Sequence, residues 1–300
     1  MRVVCVHGVG QQRETDRTLH QAWAPALCGG VGLAGGRLLE AEVRCAFYGN
    51  LFRPPGRHLA DGDPIIRAND LDQFEQDLLA AWWSEAARTD PTVVAPDART
   101  LAVRTPGSAQ RALRALSGSR FFARLGERAL LGDLRQVRDY FGKPEIRHEA
   151  RKQVAATVEE DTRVLVGHSL GSVVAYEALC ANQEWPVRML VTLGSPLGIP
   201  NLVFDRLEPA PIPAGPDNRG PRGQWPGPGR TWVNIADQGD VVALVKDLRP
   251  EFGPGVDGWV VDNGANAHDI RPYLTAKETG RAIAAGLTGT PPVDTGESGH

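Results

Sequence analysis

A serine between two glycines stands at the start of a helix-forming segment. Residues 163–179 read RVLVGHSLGSVVAYEAL, in which Gly167, Ser169 and Gly171 fit the pattern G-x-S-x-G. An apolar run precedes the pentapeptide and a helix-forming run follows it, which is the strand–turn–helix context that the motif requires. Such a turn exposes the serine Oγ at the carboxyl end of a strand. The pattern therefore predicts that Ser169 is a nucleophile for acyl transfer, with a purely structural turn as the alternative.

Acyl transfer also requires hydrogen-bond donors for the oxyanion of the tetrahedral intermediate. The backbone N–H of Leu170, directly after the serine, is the expected first donor. The loop at residues 7–10 reads HGVG and follows the first apolar run, so its backbone is the expected source of the second. Val9 is our choice within this loop and Gly8 the next, while His7 is expected to be structural. The alternative is a plain strand-to-helix turn.

Apolar runs alternate with helix-forming segments along much of the chain. The runs expected to form strands are residues 2–6, 42–47, 162–166, 188–193, 231–235 and 259–261. The segments expected to form helices are residues 15–27, with a late interruption at Pro25, and residues 144–160, 169–182 and 271–287. This alternation predicts an α/β fold, with a mostly parallel sheet that carries helices on both faces.

Residues 52–142 break the alternation. Apolar residues recur there at helical spacing, at positions 71, 74, 78 and 82 and again at 131, 134, 137 and 141. A segment of this length is too long for an ordinary loop. We therefore predict a helical lid or cap insertion at 52–142, between the two parts of a core formed by residues 1–51 and 143–287.

Aromatic and basic side chains in and after this insertion suggest two further roles. Trp82, Trp83, Phe121 and Phe122 are candidates to line a cleft, with core packing as the alternative. Residues 110–152 contain 11 Arg and Lys residues and 5 Asp and Glu residues. A solvated helical face is the simpler interpretation of this excess of positive charge; an anionic partner or a membrane surface is the alternative.

Two segments are not expected to form helices or strands. Residues 208–230 read EPAPIPAGPDNRGPRGQWPGPGR, and this density of proline and glycine predicts a surface loop. Residues 288–300 at the chain end are expected to be a disordered tail.

The composition excludes several classes of protein. The chain has 300 residues, 42% of them hydrophobic, which is enough for a sizeable core, and its net charge of -3 does not point to a nucleic-acid partner. No apolar run reaches the roughly 18 residues that a membrane span requires, and no signal peptide is evident. The 4 cysteines have no metal-ligand spacing and are expected to be reduced. We therefore expect a cytoplasmic protein without a metal or an organic cofactor.

The motifs together resemble the α/β-hydrolase superfamily, in its lipase and esterase branch. Beyond the serine turn, VTLGSPLGIP resembles the strand and loop after the nucleophile helix, TWVNIADQGDVVA the acid-bearing loop, and NAHDIRPYLT the histidine loop. The resemblance covers residues 2–10, 162–180, 188–198 and 231–285, about half the chain. It implies an α/β-hydrolase fold. Because the HGVG loop begins at His7, the strands that usually precede it are missing, which implies a trimmed sheet.

The resemblance also implies a chain order of serine, acid and histidine. Asp240 fits the family's acid position better than Asp237, because small apolar residues follow it at once, but both aspartates remain candidates. After these aspartates the only histidines are His268 and the terminal His300. His268 lies between the last apolar run and the last helix and is the expected general base.

The expected function is that of a serine hydrolase that cleaves a small-molecule or lipid-like carboxylic ester through an acyl-enzyme on Ser169. Thioesterase, acyltransferase and peptidase activities use the same acyl-enzyme and stay open. The alternative from a different class of function is a non-catalytic scaffold protein with a hydrolase fold. The sequence makes no prediction of the oligomeric state.

Overall fold

A six-stranded parallel sheet forms the centre of the protein. The structure is a computed structural model that describes residues 2–53, 66–97, 105–119, 127–213 and 220–292. The strands are β1 (Val3–Val6), β2 (Val43–Ala46), β3 (Val164–His168), β4 (Met189–Leu193), β5 (Thr231–Asp237) and β6 (Val256–Val261). Their order across the sheet is β2-β1-β3-β4-β5-β6, and all neighbours pair in parallel. The predicted α/β class and parallel sheet are confirmed.

Helices cover both faces of this sheet. They are α1 (Asp16–Leu33), α2 (Gln73–Thr89), α3 (Pro106–Ser117), α4 (Glu127–Gly142), α5 (Pro144–Thr157), α6 (Leu170–Ala181), α7 (Arg249–Phe252), α8 (Ile270–Thr275) and α9 (Lys277–Thr288). Short 3₁₀ helices lie at Glu40–Glu42, Gly49–Phe52, Ala68–Asp70, Phe204–Arg206 and Gly264–Asn266.

Two helix predictions were wrong in detail. Helix α1 continues through Pro25 to Leu33, because buried Leu27 and Val31 on its second half pack on the sheet and outweigh the hydrogen bond that proline cannot donate. The single helix expected at residues 271–287 is divided at Ala276, whose extended backbone (φ -61°, ψ 137°) separates α8 from α9.

Alternate residues of each strand face two different apolar cores, as the pleat of a strand requires. Val3 and Cys5 of β1 lie in the core that α1, α8 and α9 cover, whereas Val4 and Val6 lie in the opposite core. That second core contains buried side chains of α5 and α6 and also of α2, α3 and α4. The helices between residues 73 and 142 therefore pack into the same core as the sheet. The domain boundaries stay a prediction.

The tryptophans of α2 belong to this second core. Trp82 and Trp83 are 3% and 6% exposed, and the Trp83 indole N–H donates to the carbonyl of Val94 at 2.8 Å. Of the two interpretations, core packing therefore fits these side chains. Phe121 and Phe122 lie outside the described residues, as does most of the expected tail, residues 293–300.

Several cations of the basic segment are paired within the protein. Arg135 Nε lies 2.6 Å from the carboxylate of buried Glu75, and Lys143 Nζ lies 2.9 Å from Asp139. Arg151 pairs with Glu208 at 2.8 Å. This pairing weakens the case for the segment as a membrane-binding surface. None of the described helices combines the length and apolar character needed to cross a bilayer.

A buried ion pair joins helices α5 and α6. Arg147 Nε donates to the Glu177 carboxylate at 2.9 Å, and the Tyr140 hydroxyl donates to the same carboxylate at 2.6 Å. A guanidinium N–H of Arg147 also donates to the carbonyl of Arg206 at 2.6 Å. Because the Glu177 side chain is fully buried, its charge depends on these donors.

We expect Arg147→Met to lower the free energy of unfolding by about 3–5 kcal/mol, because the carboxylate of Glu177 then stays buried without its cation. Urea unfolding followed by circular dichroism measures the loss. Lys152→Met is the control, because Lys152 pairs with Glu149 on the same helix while 65% exposed, and its midpoint should not change. Equal effects of the two substitutions would contradict the interpretation.

Candidate active site

Ser169 occupies a strained turn between β3 and α6. Its backbone has φ 52° and ψ -130°, in a region that residues other than glycine rarely adopt. The Ser169 N–H donates to the carbonyl of Leu193 on the neighbouring strand at 3.0 Å, which fixes the turn against the sheet. A conformation of this kind costs about 1–3 kcal/mol and persists only where its surroundings enforce it.

Three glycines allow this turn to lie close to the first strand. A Cβ on Gly171 would lie 2.3 Å from the carbonyl oxygens of Val6 and His7, and one on Gly8 would lie 2.7 Å from Ser169 Cβ. A Cβ on Gly167 would lie 2.6 Å from the backbone of Ser172. The glycines of the motif are therefore explained by close backbone packing.

The imidazole of His268 lies between Ser169 and Asp240. Its Nε2 is 3.1 Å from Ser169 Oγ, and its Nδ1 is 2.8 Å from Asp240 Oδ2. Since an ionised carboxylate only accepts hydrogen bonds, Nδ1 carries the proton and Nε2 is free to accept one from the serine. Ser169 is 4% exposed and Asp240 is fully buried. The arrangement is that of a nucleophile, a base and a group that orients the base.

Asp240 is stabilised as a carboxylate. Besides His268, its oxygens accept from the Tyr273 hydroxyl at 2.8 Å and from the backbone N–H groups of Val242 at 2.9 Å and Ala243 at 3.2 Å. Burial by itself raises the pKa of Asp240, but His268 and these hydrogen bonds together hold the pKa below its ordinary value. The side chain is therefore ionised at neutral pH.

Asp237, the other candidate acid, faces elsewhere. Its carboxylate accepts from the N–H of Gly239 at 2.6 Å and from the N–H of Asn263. Burial raises the pKa of Asp237, against the effect of these two hydrogen bonds. The structure thus brings Asp240, and not Asp237, to His268.

The two expected oxyanion donors carry free N–H groups. Leu170 is the first residue of α6, and neither its N–H nor that of Val9 donates to an acceptor on the described part of the chain. Gly10, the next residue along the loop, donates its N–H to Gln136 Oε1 at 3.2 Å and is therefore occupied. The N–H groups of Val9 and Leu170 both remain available to a substrate oxygen.

Two other histidines near the turn are held neutral. Burial lowers the pKa of His7 to about 4, and burial together with the nearby His268 lowers the pKa of His168 to about 3. His7 bridges Gly8 and Tyr48, since its Nδ1 donates to the Gly8 carbonyl at 2.7 Å and its Nε2 accepts from the Tyr48 N–H at 3.1 Å. This supports the expected structural role of His7.

His168 contacts the loop that carries His268. Its Nε2 donates to the carbonyl of His268 at 3.1 Å, and the two ring centroids are 4.8 Å apart. Asp269, the next residue, caps α8 by accepting from the Arg271 N–H at 2.8 Å. These contacts fix the loop that carries His268.

Sequence reasoning missed several residues that build the site. Tyr273 donates a hydrogen bond to Asp240, and Gln136 of α4 accepts one from the glycine-rich loop at residues 7–10. Lys246 Nζ donates to the Asp240 carbonyl at 2.6 Å and lies 3.3 Å from Glu85 of α2. Tyr273 lies five residues after His268, so its position could have been noticed. Nothing in the spacing of Gln136 or Glu85 connects them to this site.

Comparison with known proteins adds no family to this description. No protein-family model matches the chain, and no curated protein matches it significantly. Across the described ranges, no group of three or more His, Cys, Asp and Glu side chains is arranged to hold a metal ion.

We expect Gly194→Ala to separate Asp240 from His268. Gly194 has φ 52°, and a Cβ there would lie 2.6 Å from Asp240 Oδ2 and 3.2 Å from His268 Nδ1. The left-handed backbone costs an alanine about 1–2 kcal/mol, and the steric clash adds about 1–3 kcal/mol. Urea unfolding measures the stability, and a crystal structure of the variant measures the Nδ1–Oδ2 distance.

Gly35→Ala is the matched control, because Gly35 has φ 77° and a Cβ there would have no heavy atom within 4 Å. Gly35→Ala should lose only the stability that a left-handed backbone costs an alanine. If both variants lose the same stability and the Asp240–His268 contact survives in Gly194→Ala, the close packing described above is wrong.

Proposed function

We propose that the protein is a serine hydrolase that cleaves a carboxylic ester through an acyl-enzyme on Ser169. The observation that carries this proposal is the pair of hydrogen bonds that links Ser169 Oγ, His268 and Asp240, at 3.1 and 2.8 Å. The three residues follow β3, β6 and β5, and the carboxyl ends of parallel strands meet at one edge of a sheet, where α/β enzymes bind their ligands. The α/β-hydrolase fold is part of the same proposal.

In the first half of the proposed reaction, Ser169 Oγ attacks the ester carbonyl carbon while its proton moves to His268 Nε2. Asp240 holds the Nδ1 proton and stabilises the imidazolium that forms. The carbonyl oxygen becomes an oxyanion, which the N–H groups of Val9 and Leu170 stabilise. His268 then gives its proton to the leaving alkoxide, and the C–O bond breaks to leave an acyl-enzyme.

In the second half, a water molecule attacks the acyl carbon and His268 accepts its proton. The second tetrahedral intermediate breaks down to the carboxylic acid, and Ser169 recovers its proton from His268. Another acceptor in place of water would make the protein an acyltransferase, and a thioester or an amide substrate would make it a thioesterase or a peptidase. An ester is easier to cleave than an amide, because an alkoxide is a better leaving group than an amide anion.

The segment at 52–142 is proposed to cover the substrate cleft. Gln136 holds the glycine-rich loop and Glu85 reaches Lys246 beside Asp240, so helices of the segment contact the site on two sides. A small-molecule or lipid-like ester is the proposed substrate, and a cytoplasmic location remains the sequence-based expectation. A scaffold without activity would have no need of a strained serine bonded to an imidazole.

We expect Ser169→Ala to lower kcat for a p-nitrophenyl ester by about 10⁴- to 10⁶-fold, because the nucleophile is lost. A fluorophosphonate probe should label the wild-type chain at Ser169 and leave the variant unlabelled. Ser84→Ala is the control, because Ser84 Oγ bonds to the carbonyl of Ala80 within α2. A wild-type chain that neither reacts with the probe nor hydrolyses esters would favour the scaffold.

The two aspartates should differ strongly in their effect on activity. Asp240→Asn should lower kcat by about 10⁴-fold, since the amide N–H can donate to Nδ1, which favours the wrong tautomer of His268, and the negative charge that stabilises the imidazolium is lost. Asp237→Asn should cost far less, because Asp237 bonds to the backbone of Gly239 and Asn263. Steady-state kinetics on one ester compares them, and the reverse ranking would refute the assignment of the acid.

A further inference from the structure

Two hydrogen-bond donors share one oxygen of the Asp240 carboxylate. Oδ2 accepts from His268 Nδ1 at 2.8 Å and from the Tyr273 hydroxyl at 2.8 Å. Oδ1 instead accepts from the backbone N–H groups of Val242 and Ala243. The backbone therefore holds the carboxylate in place through one oxygen, while the hydroxyl competes with the imidazole for the other.

The surroundings of Tyr273 fix the direction of its hydroxyl. The N–H of Asp237 donates to the hydroxyl oxygen at 2.8 Å. Because a backbone N–H can only donate, the hydroxyl must use its own proton for the bond to Asp240. Burial and the charge of Asp240 raise the pKa of Tyr273 well above its ordinary value, so the hydroxyl keeps this proton.

The phenol ring of Tyr273 is packed tightly beside the site. The side chain is fully buried, and a Cβ on Gly194 would lie 3.2 Å from its Cε2. Its ring centroid lies 6.0 Å from that of His168. These contacts hold the hydroxyl against Asp240.

Other charged or titratable side chains lie near this arrangement in the described part of the chain. They are His168, Asp237, Asp269, Lys246 and Asp133. Burial, together with the nearby His268, lowers the pKa of His168 to about 3, so this ring is neutral. The carboxylates of Asp237 and Asp269 accept from backbone N–H groups.

Lys246 and Asp133 differ in what they can do near neutral pH. Lys246 keeps a fixed partner, since its Nζ lies 3.3 Å from Glu85. Burial raises the pKa of Asp133 on α4 to about 7, although His268 opposes the rise. Because Asp133 can titrate in the same range as an imidazole, the protonation of His268 has to be followed on its own ring as well as through the rate.

The competition for Oδ2 affects the two protonation states of His268 unequally. An imidazolium is a stronger donor than a neutral imidazole, and its charge attracts the buried carboxylate strongly. The Tyr273 hydroxyl compensates part of the charge on Oδ2, so it weakens the bond to the imidazolium more than the bond to the neutral ring. Without the hydroxyl, His268 would keep its second proton to higher pH, and a protonated ring cannot accept the proton of Ser169.

We infer that Tyr273 is a positioning residue that weakens the attraction of Asp240 for the protonated imidazole of His268, and that it thereby extends the activity of the site to lower pH. The inference rests on the proposed function and concerns how pH regulates the same site. The alternative is that Tyr273 only supports the position of Asp240, in which case loss of its hydroxyl would lower the rate equally at every pH.

The test compares the wild type with Tyr273→Phe, which removes the hydroxyl and keeps the ring. NMR of labelled histidine, assigned with His268→Gln, gives the midpoint of the His268 titration. This midpoint should move to higher pH by about 0.5–1 pH unit, a part of the free energy of one hydrogen bond to a charged group. The rising limb of kcat/KM for a p-nitrophenyl ester should move in the same direction.

Tyr140→Phe is the matched control, because the Tyr140 hydroxyl also donates to a buried carboxylate, that of Glu177, at 2.6 Å. It should leave both midpoints unchanged. If Tyr273→Phe lowers the rate at every pH but leaves the His268 midpoint where it was, or moves it to lower pH, the inference is wrong.

A second variant covers the case in which Tyr273→Phe does not fold. Replacement of Tyr273 by 3-fluorotyrosine keeps the shape and both hydrogen bonds of the phenol but makes its hydroxyl a stronger donor. The midpoint of the His268 titration should then move to lower pH. A midpoint that stays the same or rises would overturn the inference.

Labelling with a fluorophosphonate distinguishes this failure from failure of the proposed function. If Ser169 is labelled and the ester is hydrolysed, but the His268 midpoint does not respond to Tyr273, only the role of Tyr273 is wrong. If Ser169 is not labelled and no ester is hydrolysed, the proposed function is wrong and the inference fails with it, whatever the midpoint.

Discussion

The close approach of the serine turn to the first strand is the constraint on which the rest of the site depends. Backbone atoms of α6 lie so near β1 that a Cβ on Gly171 would be 2.3 Å from two carbonyl oxygens. This packing holds Ser169 at φ 52° and directs its N–H to Leu193. The serine, the loop with Val9 and the start of α6 are thereby brought together, and the cost of the strained turn is offset by burial of the strands and helix around it.

The electrostatics around this turn divide the ionisable groups by role. Burial keeps His7 and His168 neutral, so they act as hydrogen-bonding supports. Asp240 stays ionised because His268, then the Tyr273 hydroxyl and two backbone N–H groups, together offset its burial. Among the imidazoles at the turn, His268 is the one bonded to a carboxylate, and this contact suits it to take up a proton from Ser169.

The helices between residues 73 and 142 contribute to the site as well as to the core. Through Gln136 they fix the glycine-rich loop, and through Glu85 they reach Lys246, which supports the Asp240 carbonyl. The same helices bury Trp82 and Trp83 against the face of the sheet that carries α6. The apolar side chains of these helices pack into the same core as the sheet. This packing fixes the positions of their polar residues near the site.

The sequence by itself determined the α/β class, most strands and the serine turn, because apolar periodicity and the glycines around Ser169 are local signals. It also indicated His268 and Asp240, although it left Asp237 open. Only the tertiary structure decided between the aspartates, since both follow β5 closely and the choice depends on where Tyr273 and the Gly194 turn place the imidazole. The tertiary structure alone showed that α1 continues through Pro25 and that Gln136 lies beside the site, because those outcomes depend on packing between residues more than 100 positions apart.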